Sequence, residues 1–115
     1  MFLASAGLLV GLSAGTLWLD WWLHLPPRIG RGLPSDHVAA DQVFRERVLA
    51  AYPLPVDADV LSARLQAEGF EVDRAGGVAR FETSRFPCLL MWRIVWTESD
   101  GAVTRIDARY GAVCL

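Results

Sequence analysis

The fold is decided by residues 88–114, CLLMWRIVWTESDGAVTRIDARYGAVC, in which apolar side chains recur at alternate positions on both sides of a turn. One face of the first half carries Cys88, Leu90, Trp92, Ile94 and Trp96, and one face of the second half carries Ile106, Ala108, Tyr110, Ala112 and Cys114. This alternation predicts two antiparallel strands buried on one side. Bringing both sets to the same face predicts a three-residue loop, Ser99-Asp100-Gly101, with the glycine in a left-handed bulge position.

The two cysteines lie near the open end of this hairpin. The predicted register places Cys88 opposite Ala112, so Cys114 is its diagonal neighbour at about 7 Å between Cα atoms, at the limit of disulfide geometry. A small irregularity near Gly111 would bring the cysteines directly opposite each other. We predict a Cys88–Cys114 disulfide, with two buried thiols as the alternative. A redox-active pair is not expected, because CxxC spacing is absent.

The outward face of the same hairpin is predicted to carry a partner surface. In the predicted register Arg93 lies opposite Asp107 as an ion pair, and Arg105 and Arg109 flank it. Leu89, Met91 and Val95 add apolar area beside these charges. The positive and apolar mixture suits a protein partner or anionic headgroups, and the alternative is an ordinary solvated sheet face.

The residues upstream predict two helices and a further hairpin. Ser35 is expected to cap a helix that ends near Tyr52, before two prolines. A second helix is expected from Asp57 or Asp59 to about Glu68, with Gly69 as its stop. A two-residue turn at Ala75-Gly76 then places the following four residues on one face of a hairpin: Phe70, Val72, Ala79 and Phe81.

The expected fold class is therefore α+β. Residues 35–115 form a small α-α-β-β-β-β domain in which two helices cover one face of a four-stranded antiparallel meander. This element order resembles that of the small periplasmic α+β domains of the BamE and β-lactamase-inhibitor-protein group. The resemblance lies in element order, and it assigns no functional residue.

The N-terminal residues predict a membrane anchor. No charged residue lies between Phe2 and Leu19, and three tryptophans near the end of the apolar stretch, Trp18, Trp21 and Trp22, are expected to form an interfacial belt. We predict a transmembrane helix over residues 1–25, ended by two prolines, and a Pro/Gly-rich linker over residues 26–34. A cleaved signal peptide is the alternative, although the basic n-region that such a peptide needs is missing.

Three glycines mark one side of the predicted anchor. Gly7, Gly11 and Gly15 recur every four residues, which lines one helix face with small side chains. Such a face lets a second membrane helix approach closely. We therefore predict a transmembrane helix partner, either a second copy of this chain or another subunit, in addition to membrane lipid.

Two signals bear on orientation, and they disagree. Arg28 and Arg31 follow the apolar run, so the positive-inside rule favours a cytoplasmic domain. The predicted disulfide favours an oxidising compartment. We predict a bacterial inner-membrane protein with a periplasmic C-terminal domain.

No residue constellation predicts catalysis, a cofactor or a metal. The formal net charge is −2, without a basic stripe, so nucleic acid is not an expected partner. His24 beside the tryptophans could ligate a haem, but a second ligand pattern is absent. We therefore predict a single-span, non-enzymatic accessory or interaction subunit of a membrane complex. The alternatives are a membrane-tethered periplasmic module that binds a small ligand, peptide or lipid and, more remotely, an enzyme or haem-linked subunit.

Overall fold

A computed structural model describes residues 25–115, which form two α-helices and a curled five-stranded antiparallel sheet. After a short 3-10 helix at Arg28–Gly30, the elements in chain order are α1 (His37–Ala51), β1 (Val56–Asp57), α2 (Ala58–Glu68), β2 (Glu71–Asp73), β3 (Val78–Arg85), β4 (Cys88–Ser99) and β5 (Ala102–Cys114). The strand order is β1-β5-β4-β3-β2. The α+β class predicted from the sequence is confirmed.

Several predictions fall on residues 1–24, outside the described residues. They are the transmembrane helix, its glycine stripe at Gly7, Gly11 and Gly15, and the interfacial His24. Within residues 25–115, no helix is both long enough and apolar enough to cross a membrane.

Both helices begin at aspartate caps. The α1 cap is Asp36 and not Ser35, so that prediction was wrong by one residue: the Asp36 carboxylate accepts a hydrogen bond from the Ala39 amide at 2.9 Å. The α2 cap is Asp57, one of the two predicted candidates, and it accepts bonds from the amides of Asp59 and Val60 at 2.9 and 3.0 Å. These bonds satisfy amides that have no partner inside the helix.

The first hairpin forms as its pattern predicts. Val72 pairs with Ala79 and Glu71 with Arg80 across a turn that includes Ala75-Gly76. Ala79 is fully buried and Val72 is half-buried, whereas Glu71 and Arg80 are exposed. Turn length and hydrophobic pattern therefore specify the same register.

The second hairpin has a different turn from the one predicted. Ser99 pairs with Ala102, so the turn has two residues, Asp100 and Gly101, both with positive φ, at 52° and 80°. The register then shifts by one, from Glu98–Val103 to Thr97–Arg105, which leaves Thr104 as an unpaired bulge residue. The two-residue turn together with the bulge places both apolar sets on one face, as the three-residue loop was predicted to do.

The sheet has one more strand than the predicted four-stranded meander. Val56 and Asp57 of β1 pair with Val103 and Ala102 of β5. A two-residue strand is too short to show an alternating pattern, and its partner lies far along the chain, so local sequence carries no signal for it.

The core lies between the helices and one side of the sheet, which we call the helix face. The two helices contribute Phe44, Val48, Tyr52, Leu61 and Leu65, and the strands contribute Ala79, Trp92, Ile94, Trp96, Val103, Ile106 and Ala108. The opposite side is the outer face.

Part of the predicted linker is packed against the domain. The indole Nε1 of Trp92 donates a hydrogen bond to the carbonyl oxygen of Gly30 at 3.0 Å, and both residues are buried. The Arg47 guanidinium donates to the carbonyl oxygens of Ile29, Arg31 and Gly32. The segment just after residue 24 is therefore held against the sheet.

Candidate functional site

The outer face of the sheet is the first candidate site. In the middle of β3, β4 and β5 the helix-face residues are buried or half-buried, and the residues that alternate with them are mostly exposed. No described helix covers this face, because the side chains of α1 and α2 in the core pack with helix-face residues. A broad surface is therefore open to a partner over the described part of the chain.

Three arginines form a row across this face. Strand pairing places Arg80 of β3 directly opposite Arg93 of β4, and Arg93 directly opposite Arg109 of β5. Like charges at directly opposed positions destabilise a sheet. The two Arg–Arg oppositions therefore destabilise the isolated domain.

This row corrects the predicted Arg93–Asp107 pair. The strands are offset by two residues from the predicted register, so Asp107 lies opposite Val95 and Arg93 faces Arg109. An offset of two keeps every side chain on its predicted face but changes its partner. Arg93, Arg105 and Arg109 do share the outer face, as predicted.

Carboxylates lie near both ends of the row: Glu71 of β2 is directly opposite Arg80, and Asp41 and Asp107 form ion pairs at the Arg109 end. Arg109 contacts Asp107 at 3.3 Å and Asp41 of α1 at 3.4 Å, and Arg45 contacts Asp41 at 3.2 Å. Hydrogen bonding to Asp107 and the charges of Asp107 and Asp41 raise the pKa of the Arg109 guanidinium. Asp41 also accepts a hydrogen bond from the Tyr110 amide at 2.8 Å, which satisfies a donor at the edge of β5.

The other outer arginines form no ion pair within residues 25–115, although Glu71 lies directly opposite Arg80 in the strand pairing. Among the described residues, Arg80, Arg93 and Arg105 form no ion pair and are exposed. Arg80 was not among the predicted surface residues. Its outward direction follows from the alternation in β3, but its place beside Arg93 depends on the pairing of β3 with β4.

Apolar side chains flank the row. Val78 and Val95 lie directly opposite each other on one side of it, and Val95 is 36% exposed. On the other side lie Met91, Leu89 and Val113, of which Val113 is 59% exposed. The outer face therefore combines unpaired positive charge with accessible apolar area.

A groove near the other end of the β4–β5 hairpin is the second candidate site. It has a volume of about 570 Å³ and lies between the segment 25–34 and the helix-face ends of β3, β4 and β5. Leu90, Trp92 and Tyr110 line it with apolar and aromatic surface, and Arg31 and Arg85 also line it. None of its described lining residues is acidic.

The disulfide lies at this same end of the sheet. Cys88 and Cys114 pair directly across β4 and β5 and are bonded, with 3.9 Å between their Cα atoms. The predicted disulfide is confirmed. The predicted diagonal placement of the cysteines is wrong, because they lie directly opposite each other. The irregularity that brings them together is the bulge opposite Thr97, and not one near Gly111. Beside the bridge, the β3–β4 turn presents Phe86, which is 86% exposed.

The described residues include no cluster of three or more His, Cys, Asp or Glu side chains arranged to hold a metal ion. His37 is exposed at the start of α1, where its ring stacks with that of Tyr110 at 6.3 Å between centroids.

No family model, curated protein or solved structure matches this chain. The resemblance in element order to small periplasmic domains therefore stays a prediction, and the outer face and the groove are the features from which a function can be inferred.

Proposed function

We propose that this chain is a single-span, non-enzymatic membrane protein that acts as an accessory or interaction subunit of a membrane complex. The observation that carries the proposal is the row of arginines on the uncovered outer face of the sheet. Opposed like charges destabilise this face, and Arg80, Arg93 and Arg105 form no ion pair with a described residue, so an acidic partner that pairs with them would stabilise it.

The composition of this face suits a protein partner. Arginine is enriched in protein interfaces because its planar guanidinium donates paired hydrogen bonds to carboxylates and also packs on apolar groups. Arg80 and Arg93 provide the charges, and Val78 and Val95 provide neighbouring area that a partner can desolvate. An acidic protein surface with some apolar side chains is complementary to this arrangement.

Two features support a periplasmic domain anchored in a bacterial inner membrane. The run from Phe2 to Leu19 has no charge and the length of a membrane-spanning helix. Disulfides such as Cys88–Cys114 persist in oxidising compartments and are rare in the cytosol. In this proposal the glycine stripe at Gly7, Gly11 and Gly15 contacts a membrane helix of a second copy or another subunit.

Site-specific photo-crosslinking in living cells tests the outer face. A benzophenone amino acid at Val95 should give a discrete adduct, because Val95 lies beside Arg93 on the outer face. A probe at Val60, which is 48% exposed on α2, should give none. The adduct should disappear in an Arg80→Glu/Arg93→Glu variant and persist in Arg64→Glu, a charge reversal on an exposed site of α2.

An adduct at Val95 that survives the double reversal would contradict the proposed role of the arginines. Equal labelling from Val95 and Val60 would contradict a defined partner surface. Orientation is tested separately by thiol labelling before and after reduction, together with protease access in spheroplasts. We expect oxidised cysteines in a domain that the protease can reach. Reduced cysteines in a protected domain would place the domain in the cytoplasm.

The groove favours a second candidate function, a membrane-tethered periplasmic module that binds a small ligand, peptide or lipid. Its aromatic lining and two arginines resemble the mixture of apolar walls and few polar groups found in ligand sites. The two functions are distinguishable, because the groove lies on the helix face and the arginine row lies on the outer face.

A further inference from the structure

We propose that the groove lined by Arg31 and Arg85 binds the headgroup of an anionic phospholipid at the surface of the bilayer that anchors the chain. This inference rests on the proposed membrane anchoring, and it adds a lipid ligand to it. Four observations carry it: the charge of the groove, its aromatic lining, its position next to Leu25, and the exposed phenylalanine beside it.

The charge of the groove selects an anion. Arg31 and Arg85 line it, none of the described lining residues is acidic, and neither arginine forms an ion pair with a described residue. The Arg31 Nε donates to the carbonyl oxygen of Pro26, which ties this side chain to the start of the segment. Its terminal amino groups make no hydrogen bond with a described residue, and paired guanidinium donors match phosphate oxygens well.

The lining selects an amphipathic molecule over a bare anion. Leu90, Trp92 and Tyr110 contribute apolar and aromatic surface, and Leu33 lines the groove as well. The Trp92 Nε1 is occupied by its bond to Gly30, so this largely buried side chain adds no free donor to the groove. The half-buried Leu90 and Tyr110 provide accessible apolar surface. Glycerol and the first methylenes of an acyl chain fit such a surface beneath a phosphate.

The position of the groove places it at the bilayer. Leu25 and Pro26 line it, and Leu25 is the last residue of the predicted membrane-spanning stretch. The domain is also held close to that point, because Pro27 and Gly30 are buried and Trp92 bonds to Gly30. In an anchored chain the groove therefore opens within reach of lipid headgroups.

The β3–β4 turn supplies a neighbouring apolar contact. Phe86 is 86% exposed and directly follows Arg85, and the Leu115 amide bonds to the Pro87 carbonyl oxygen at 3.0 Å. The Cys88–Cys114 bond holds the two strand ends beneath this turn. An exposed aromatic ring next to an arginine is the combination that enters the headgroup region, with the ring among lipid and the cation at phosphate.

Native mass spectrometry of the full-length protein released from nanodiscs tests this assignment. With equal amounts of phosphatidylglycerol and phosphatidylcholine present, the wild type should retain phosphatidylglycerol preferentially. Each arginine near an anionic surface contributes about 1 kcal/mol, so Arg85→Gln should weaken this preference roughly five-fold and Arg31→Gln/Arg85→Gln roughly 25-fold. Arg64→Gln removes one exposed charge from α2, outside both the groove and the outer face, and should leave the preference unchanged.

Arg85→Gln alone keeps the test informative if the double variant misfolds, because Arg85 is exposed and makes no side-chain hydrogen bond with a described residue. A benzophenone amino acid at Phe86 provides a second readout: it should form a lipid adduct in the nanodisc, and the same probe at Val60 should not.

The possible failures are distinguishable. A chain that alkaline carbonate removes from membranes would overturn the anchoring itself. An anchored chain that retains both lipids equally, or whose lipid preference changes equally in Arg85→Gln and Arg64→Gln, would overturn the groove assignment alone. Displacement of phosphatidylglycerol by inorganic phosphate with equal affinity would show a simple anion site and would also overturn it.

Discussion

Removing the disulfide should cost the domain a large part of its stability. The bond joins residues separated by 26 positions, and the loop-closure relation for that length predicts about 3.5 kcal/mol at 25 °C. A domain of this size has a free energy of unfolding of about 5–14 kcal/mol. The Cys88→Ser/Cys114→Ser variant should therefore fold, with a Tm lowered by roughly 15–25 °C.

Urea unfolding of the detergent-solubilised full-length chain measures this effect, followed by near-UV circular dichroism of the core tryptophans. Reduced wild type should match the serine variant, and reductant should leave the serine variant unchanged, because the cross-link is then the sole difference. Hydrogen exchange should show the largest loss of protection at the open end of β4 and β5, near Leu89 and Val113.

A loss below about 1 kcal/mol would refute the reasoning, since it would mean that the cross-link restricts the unfolded chain far less than its loop length requires. A uniform loss of protection across the sheet, without a maximum near the bridge, would refute the local part of the argument.

Three further predictions concern the packing of the domain. Gly30→Ala should destabilise it by about 1–3 kcal/mol, because the new Cβ would lie 2.6 Å from the Trp92 Nε1, whereas Gly111→Ala, with no atom within 4 Å, should be near neutral in the same urea experiment. Asp57→Ala should cost about 1 kcal/mol in thermal unfolding by removing both cap bonds of α2, and a cost no larger than that of an exposed substitution such as Ala63→Ser would contradict the cap's role. Burial, followed by the charge of Glu68, raises the pKa of Tyr52, so the neutral form is favoured in the folded state: stability should hold below the ordinary tyrosine pKa of about 10 and fall as pH rises above it. Tyr52→Phe should remove that alkaline loss, and an unchanged pH profile would show that Tyr52 does not cause it.

The sequence predicted part of the first candidate site, the outer face, and none of the second, the groove. Alternation in 88–114 places Arg93, Arg105 and Arg109 on one face, and the structure agrees. The alternation alone could not predict that Arg80 lies opposite Arg93, because this pairing depends on the register between β3 and β4. The groove could not be predicted from the sequence either. It forms only where the segment 25–34 packs against Leu90, Trp92 and Tyr110, which are distant from it in the chain.

Sequence alone determined the elements that local chemistry specifies. Asp57 and Gly69 bound α2, and Ala75-Gly76 lies in the turn of the first hairpin. Period-two alternation assigns the residues of β4, and those of β5 from Arg105 onward, to a face. The tertiary structure alone decided which residues are opposite each other in the second hairpin. Shifting one strand by one residue against the other would place their apolar sets on opposite faces, and the pattern excludes this. A shift of two residues keeps both apolar sets on the same face, so the pattern cannot exclude it. The tight turn at Asp100-Gly101 and the bulge at Thr104 select between those registers, and in doing so they bring Cys88 to Cys114 and Arg93 to Arg109.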